Sequence, residues 1–343
     1  MGAGTAVHAN RTSSGPQNSS HQDGFQDSDQ DGLQENVEDR FQLMDAAGMG
    51  FFGIVFYAVL KTDFEVDSSL LRSDPSNHNG GRSLQAVRAV KICNPLCPSG
   101  LKASANYIMK DILAMKMVWC KMEQHVRNSF VRLFDYNTSE TPWYSMEPII
   151  CGLTLEKVYV ASQQQGMPVP EELAFHIVGQ MSQACLFLHD KCKIVRADVH
   201  RQNIMLRYPG RESESLPDVV LIDWSLWDEA SAERIVRETE NVYECLFPVL
   251  FEGGWGCGTR HDRQDCKAMN NTAHSSEWLD LQSIMYGKQG SLEEIDRKFG
   301  DVIDRSRRKV GTGLVEAERV EALLTATEPS LTEESLRSAL SAL

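Results

Sequence analysis

Long apolar runs, paired cysteines and a surplus of positive charge are all missing from this chain of 343 residues. Without a stretch of about 20 apolar residues no helix is expected to span a bilayer. The opening MGAGTAVHAN lacks the apolar core of a secretory signal and, with Ala6 where Ser or Thr is wanted, misses the myristoylation pattern. The nine cysteines are odd in number, and none stands in Cys-x-x-Cys. Most lie in apolar settings such as VKIC and QACLFLHD, so they read as reduced core thiols and not as a disulfide frame or zinc site. Lys and Arg number 34 against 48 Asp and Glu, a net charge of -14. An acidic chain with no basic run repels phosphate backbones and anionic bilayers, so neither nucleic acid nor membrane is expected as a partner. The expected location is cytoplasmic or nuclear, not secreted.

Residues 1–38 are rich in Ser, Asn, Gln, Gly and Asp and poor in branched and aromatic residues, which predicts a disordered tail. Within it DSDQDGLQENVE meets the EF-hand loop template at Asp27, Asp29, Asp31, Gly32 and Glu38. The string before it, SSGPQNSSHQDGFQ, breaks helices, and Gln34 stands where the loop wants an apolar residue. A solvated acidic linker is therefore the better reading.

From Phe41 the pattern turns to strands: FQLMDAA, IVFYAVL and QAVRAVKIC, with a polar insert, VDSSLLRSDPSNHNGGRS, before the third. A helix is predicted at 104–122, then strands at FVRLFDY and WYSMEPI. Beyond Gly152 the chain reads as helical. PEELAFHIVGQMSQACLFLHD repeats Leu173, Ile177, Met181, Ala184 and Leu188 at helical spacing, and IMLRY and VVLID are strand-like. Further helices are expected near 275–286, 291–307, 313–327 and 330–343. The cluster His261, Asp262, Asp265, Cys266 and His274 fits no zinc template and reads as a polar loop.

GMGFFGIV carries Gly48, Gly50 and Gly53 as GxGxxG. A dinucleotide fingerprint requires a helix to start at the third glycine, yet Gly53 runs into Ile54, Val55, Phe56 and Tyr57, which prefer a strand. Strand, glycine turn, strand predicts a hairpin with glycines at its tip. Lys91 sits inside a strand of Val, Ala and Ile, where a buried ammonium must find an anion. The helix after it presents Asp111 in a mostly apolar stripe with Ser104, Tyr107, Ala114 and Val118. Downstream, VRADVHRQNIML sets Asp198 and Asn203 five residues apart, and VVLIDWSLW puts Asp223 at the end of an apolar strand.

On these motifs, residues 41–225 resemble the eukaryotic protein kinase domain. The resemblance implies an α+β, bilobal protein-kinase-like fold: a small five-stranded antiparallel N-lobe with one helix over 39–150, and a mostly helical C-lobe over 151–343. It implies ATP as cofactor with Mg²⁺, or Mn²⁺, and transfer of the γ-phosphate to a hydroxyl, most simply of Ser or Thr. Asp198 would be the catalytic base and Lys91 would hold the phosphates while paired with Asp111. Asn203 and Asp223 would ligate the metal as hard oxygen donors. The nucleotide would lie among Gly48, Gly50, Phe52 at the loop tip, Gly53, Val55, Ala89, Lys91, Met146 behind the adenine, and the backbone of Glu147 and Ile149. Because Asp is one methylene shorter than the family's Glu, the pair with Lys91 is expected to be looser or water-bridged.

Three departures bear on the acceptor. Arg196 and Ala197 stand where the family has His and Arg, so no arginine awaits an activating phosphate. After Asp223 the chain passes almost at once into EASAERIVRETENVYECLF, which leaves no long activation segment and no Ala-Pro-Glu. Ser225 replaces the metal-loop glycine. DVHRQN and IDW also resemble aminoglycoside and choline phosphotransferases, with His200 where protein kinases carry lysine. The acceptor is then an unknown protein or a small-molecule hydroxyl, and a pseudokinase acting as a nucleotide-binding or interaction scaffold is the reading from another class.

Overall fold

The computed structural model describes residues 36–62, 87–150, 152–166, 169–207, 216–252 and 274–309. Strands β1 (Phe41–Met49), β2 (Gly53–Leu60), β3 (Val87–Cys93), β4 (Leu133–Asn137) and β5 (Trp143–Met146) form an antiparallel sheet in the order β1-β2-β3-β5-β4. A single helical turn, α1 (Val37–Arg40), precedes the sheet, so Val37 and Glu38, the last residues of the tail that composition predicts to be disordered, are helical. The rest of that tail, with all but Glu38 of the EF-hand template, lies outside the described residues, as does the insert at 63–86.

The sheet has two apolar faces because side chains alternate along each strand. Phe41, Ala58, Val90 and Trp143 gather with Val37 on one side. On the other, the registers Val55↔Lys91↔Tyr144 and Tyr57↔Ala89↔Met146 align two rows of side chains. Helix α2 (Leu101–Cys120) begins a few residues before the predicted Ser104, after Gly100 at φ 86°, a conformation glycine adopts without a Cβ clash. Ile108, Ile112, Met115 and Val118 of α2 join the main core.

The region beyond is mostly helical, with more short strands than the sequence suggests. β6 (Gly152–Thr154), β8 (Ile204–Arg207) and β9 (Asp218–Leu221) form one small antiparallel sheet. β7 (Ile194–Arg196) pairs with β10 (Trp227–Glu229). Three-residue strands are too short for an alternation signal, which is why only β8 and β9 were legible. Helix α3 (Leu155–Gln165) is capped by Thr154, whose Oγ1 accepts the Lys157 N–H at 3.3 Å.

The central α4 (Glu171–Phe187) is buried on most sides. A Cβ on its Gly179 would fall 2.5 Å from Ile303 Cγ2, so the absence of a side chain lets α7 (Leu292–Lys309) pack close. Helices α5 (Ala232–Phe247), α6 (Ser276–Tyr286) and α7 complete the described chain, α6 and α7 lying where the last-but-two helical patterns put them. The patterns at 313–327 and 330–343 are outside the described residues. Among the described residues no helix is long and apolar enough to cross a membrane.

Candidate functional site

The glycine loop is a hairpin. Gly48 faces Val55 and Met49 faces Ile54 in the β1–β2 register, and the Gly50 N–H donates to the Gly53 carbonyl at 2.8 Å. What springs from Gly53 is a strand, so a dinucleotide cradle on a helix N-terminus is excluded at this loop. A Cβ added to Gly48 would meet nothing within 4 Å, and one on Gly50 only the Gly53 carbonyl at 3.5 Å. Gly53 differs, since its Cβ would fall 2.7 Å from Lys91 Cε and 3.1 Å from the Ile92 carbonyl. The third glycine makes room for the stem of the lysine.

The loop is latched from below by residues that no motif marked. Asn94 Nδ2 donates to the carbonyls of Gly50 at 3.0 Å and Phe51 at 3.3 Å. Phe52's carbonyl accepts the Asn94 N–H at 3.2 Å and the Ser104 hydroxyl of α2. An Asn after a strand reads from sequence as a turn former, which concealed this role. Phe52 was expected at the loop tip against the nucleotide. Its ring instead stacks on Tyr107 of α2, centroids 3.5 Å apart, because the latch turns this side chain toward the helix. Met49 and Phe51 are the exposed apolar side chains of the tip.

Lys91 lies below the hairpin. Its Nζ donates to Asp111 Oδ2 at 2.8 Å and Asp223 Oδ1 at 3.0 Å. The first contact is direct, correcting the expectation of a loose or water-bridged pair: α2 sits close enough for the shorter carboxylate to reach. Asp111 is fully buried, and its Oδ1 accepts the Trp224 N–H at 2.7 Å. Two carboxylates share one ammonium here, so the cluster carries an excess negative charge. Burial pushes Asp111 up to about 6 against the pull of Lys91. Burial also opposes ionisation of Asp223, but Lys91 and the Ser225 hydrogen bonds overcome it and hold Asp223 down at about 2. For Lys91 itself, burial disfavours the charge, and Asp111, Tyr144 and Asp223 together hold it well above the ordinary lysine range. The most buried acid is thus the one that takes a proton first, as pH falls through about 6.

Asp223 has φ 59°, the left-handed region where a residue with a Cβ is uncommon and strained. The Ser225 N–H donates back to its Oδ1 at 3.3 Å. The main chain of β8 and β9 brings Asn203 beside it, for the Ile222 N–H donates to the Asn203 carbonyl at 3.1 Å. Asn203 Nδ2 in turn donates to Asp198, to its carbonyl at 3.3 Å and its Oδ2 at 3.2 Å. His200 Nδ1 accepts the Gln202 N–H at 3.3 Å, which leaves the proton of the neutral ring on Nε2, 3.4 Å from Asp198 Oδ2. Arg201 anchors this loop on α3 through Glu156 at 2.7 Å and the ring of Tyr159. Lys91, Asp111, Asp198, Asn203 and Asp223 therefore form one connected group spanning the sheet and the helical region.

The proposed adenine-facing residues fall on the same sheet face. Val55 is opposite Lys91, and Ala89 is opposite both Tyr57 and Met146. The Glu147 N–H is already engaged by the Arg132 carbonyl at 2.8 Å, while the Ile149 carbonyl accepts the Gly152 N–H at 3.3 Å. The Glu147 side chain bonds Arg207 at 3.2 Å.

Among the described residues no three His, Cys, Asp or Glu side chains gather as a metal-binding group. The donors present are Asp223 and the amide oxygen of Asn203, whose nitrogen is committed to Asp198. Two hard oxygen donors beside uncompensated negative charge fit a Mg²⁺ ion completed by phosphate oxygens, not a cage built by protein alone. His274, the one described member of the polar loop cluster, bonds Glu171 at 2.6 Å at the start of α6, far along the chain from this group. No family model matches the chain, and no curated protein matches it as a relative.

Proposed function

We propose that the protein is an ATP-dependent phosphotransferase of bilobal, protein-kinase-like fold. The observation that carries the reading is the ammonium of Lys91, held 2.8 Å from Asp111 and 3.0 Å from Asp223 beneath a glycine hairpin with a bare backbone face. Phosphoryl transfer asks a protein mainly for positioning and charge stabilisation. Here Lys91 and the N–H groups of the hairpin would meet the phosphates. Asp198, fixed by Asn203 and exposed enough to receive a second molecule, would orient the acceptor hydroxyl and take its proton. Asn203 and Asp223 would hold Mg²⁺, which supplies neutralisation of charge on the phosphate oxygens.

One observation favours a compact acceptor. Between Asp223 and α5 the chain makes only β10, paired to β7, and reaches the helix at Ala232. No extended platform for a peptide fits in that span, which supports a small-molecule hydroxyl over a long peptide segment.

The test has two parts. A thermal shift with Mg²⁺ and ATP should raise the melting temperature, and its absence would favour the scaffold reading. Labelled ATP offered with a peptide library and with a panel of small alcohols should label one class. Asp198→Asn should lower that rate by about 10² to 10⁴ while leaving the nucleotide shift in place, and labelling that survives the substitution would sink the assigned base.

A further inference from the structure

We propose that Arg196 is a positioning residue that holds Asp223 in its left-handed conformation. Arg196 ends β7, two residues before Asp198, and is buried to 1 % exposure. Its Nη2 donates to two successive carbonyls, Ile222 at 2.6 Å and Asp223 at 3.0 Å, and its guanidinium lies 4.9 Å from the ring centroid of Trp224. The groups before, at and after the strained residue are therefore all gripped by one side chain.

The grip is itself anchored. The Arg196 N–H donates to Glu238 Oε1 at 2.7 Å, and the other oxygen of Glu238, a buried residue of α5, pairs with His189 Nε2. Trp227 opposite Arg196 in the β7–β10 register sends its indole N–H to the Lys110 carbonyl of α2 at 3.2 Å. Arg196 thus joins the Asp223 turn to α5, while the chain just beyond that turn is tied to the helix that carries Asp111.

A buried charge network of this kind is a poor source of stability, since an apolar replacement of like volume is often neutral or better. What this one does supply is a conformation. A residue with a Cβ stays at φ 59° only where its surroundings over-determine it; Lys91, Ser225 and Asp111 hold the side chain of Asp223 and the next amide, and the two Arg196 contacts are the ones that hold its carbonyl and the one before. Arg196 Nη1 makes no hydrogen bond among the described residues, so the positioning runs through Nη2 and the stack on Trp224. The consequence for regulation follows: the turn bearing Asp223 is set by the fold and needs no phosphorylated loop to assemble it.

The structural half of this inference is independent of the phosphotransferase reading, whereas its effect on metal–nucleotide binding rests on it. Hydrogen exchange on the ligand-free protein tests the first. Arg196→Met should speed exchange at the Trp224 and Ser225 amides while α4 keeps its protection, and Arg196→Lys, which keeps a charge and a donor, should restore part of it. Unchanged exchange at 224–225, or a loss spread evenly through the core, overturns the proposal. If Arg196→Met does not fold, the same comparison is made on Arg196→Lys and Glu238→Gln. In a parent that binds nucleotide, the Met variant should lose about 10- to 100-fold in affinity for Mg²⁺-ATP, as supporting groups around a metal ligand do, with metal-free ATP binding little changed; equal losses overturn the link to Asp223. A parent that binds no nucleotide refutes the phosphotransferase reading and leaves the exchange result to judge Arg196.

Discussion

The floor of the candidate cleft and its rim are built on opposite plans. On the floor, Lys91, Asp111, Asp223 and the Trp224 peptide satisfy one another within 3.0 Å. On the rim, Gly48 presents bare backbone and Asp198 keeps a side chain 37 % exposed beside His200. A protein that only needed stability would gain little from the floor, where two carboxylates compete for one ammonium, and nothing from the rim. The difference is the one the proposed nucleotide cleft would use: charges pre-positioned by the fold below, and donors and acceptors exposed above.

The comparison breaks most severely if the ammonium is removed. Lys91→Met leaves the buried Asp111 carboxylate, and the partly exposed Asp223 beside it, without their cation, and at pH 8 should cost about 3–5 kcal/mol of stability in urea unfolding. The loss should shrink at pH 5, where Asp111 can take a proton. A variant as stable as the parent at pH 8 would show that the floor is not an ion cluster at all.

The pH dependence separates the two acids. Asp111 is raised from 3.8 to about 6 in the folded protein, so between those values the native state binds more protons than the unfolded chain. Stability should then rise as pH falls from 6 toward 4, by up to about 1.4 kcal/mol per pH unit. Asp223, lowered from 3.8 to about 2, contributes stability that is present above 3.8 and lost as pH falls toward 2. Unfolding curves of the parent and Asp111→Asn from pH 2 to 7 should diverge in slope chiefly between about pH 4 and 6. Parallel curves would refute the upward shift of Asp111.

The smallest effects sharpen the boundary between floor and rim. Gly53→Ala pushes a methyl into Lys91 Cε and Ile108 Cδ1 and should cost about 1–3 kcal/mol, as overpacking does. Gly48→Ala meets open space and should change stability by less than about 0.5 kcal/mol, yet weaken ATP binding if the phosphates lie against that backbone. The pair is read by thermal unfolding and nucleotide titration on the same samples. Equal destabilisation by both would erase the distinction.

Much of this was legible before any coordinates. The run Ile54 to Tyr57 announced a strand after the third glycine, and the apolar neighbours of Lys91 announced a buried charge needing an anion. The latch of Asn94 and Ser104 on the hairpin was hidden, because both are ordinary polar residues whose partners lie as far as 52 positions away. Arg196, Glu238 and His189 were equally silent: 42 and 49 residues separate their contacts, and no spacing rule links three different elements. Phe52 lies in the turn where the motif put it, but the Tyr107 ring that it stacks on was not legible.

The sequence alone determined the local events, namely which segments alternate, where the chain turns on glycine and that Lys91 sits inside an apolar strand, because periodicity and turn chemistry act over a few residues. Only the tertiary structure decided that two carboxylates meet Lys91 directly, which way Phe52 faces, and how Asp223 is held at a positive φ. Those outcomes depend on how closely α2 and α5 approach the strands, and that distance is set by the packing of the whole core and not by any one segment.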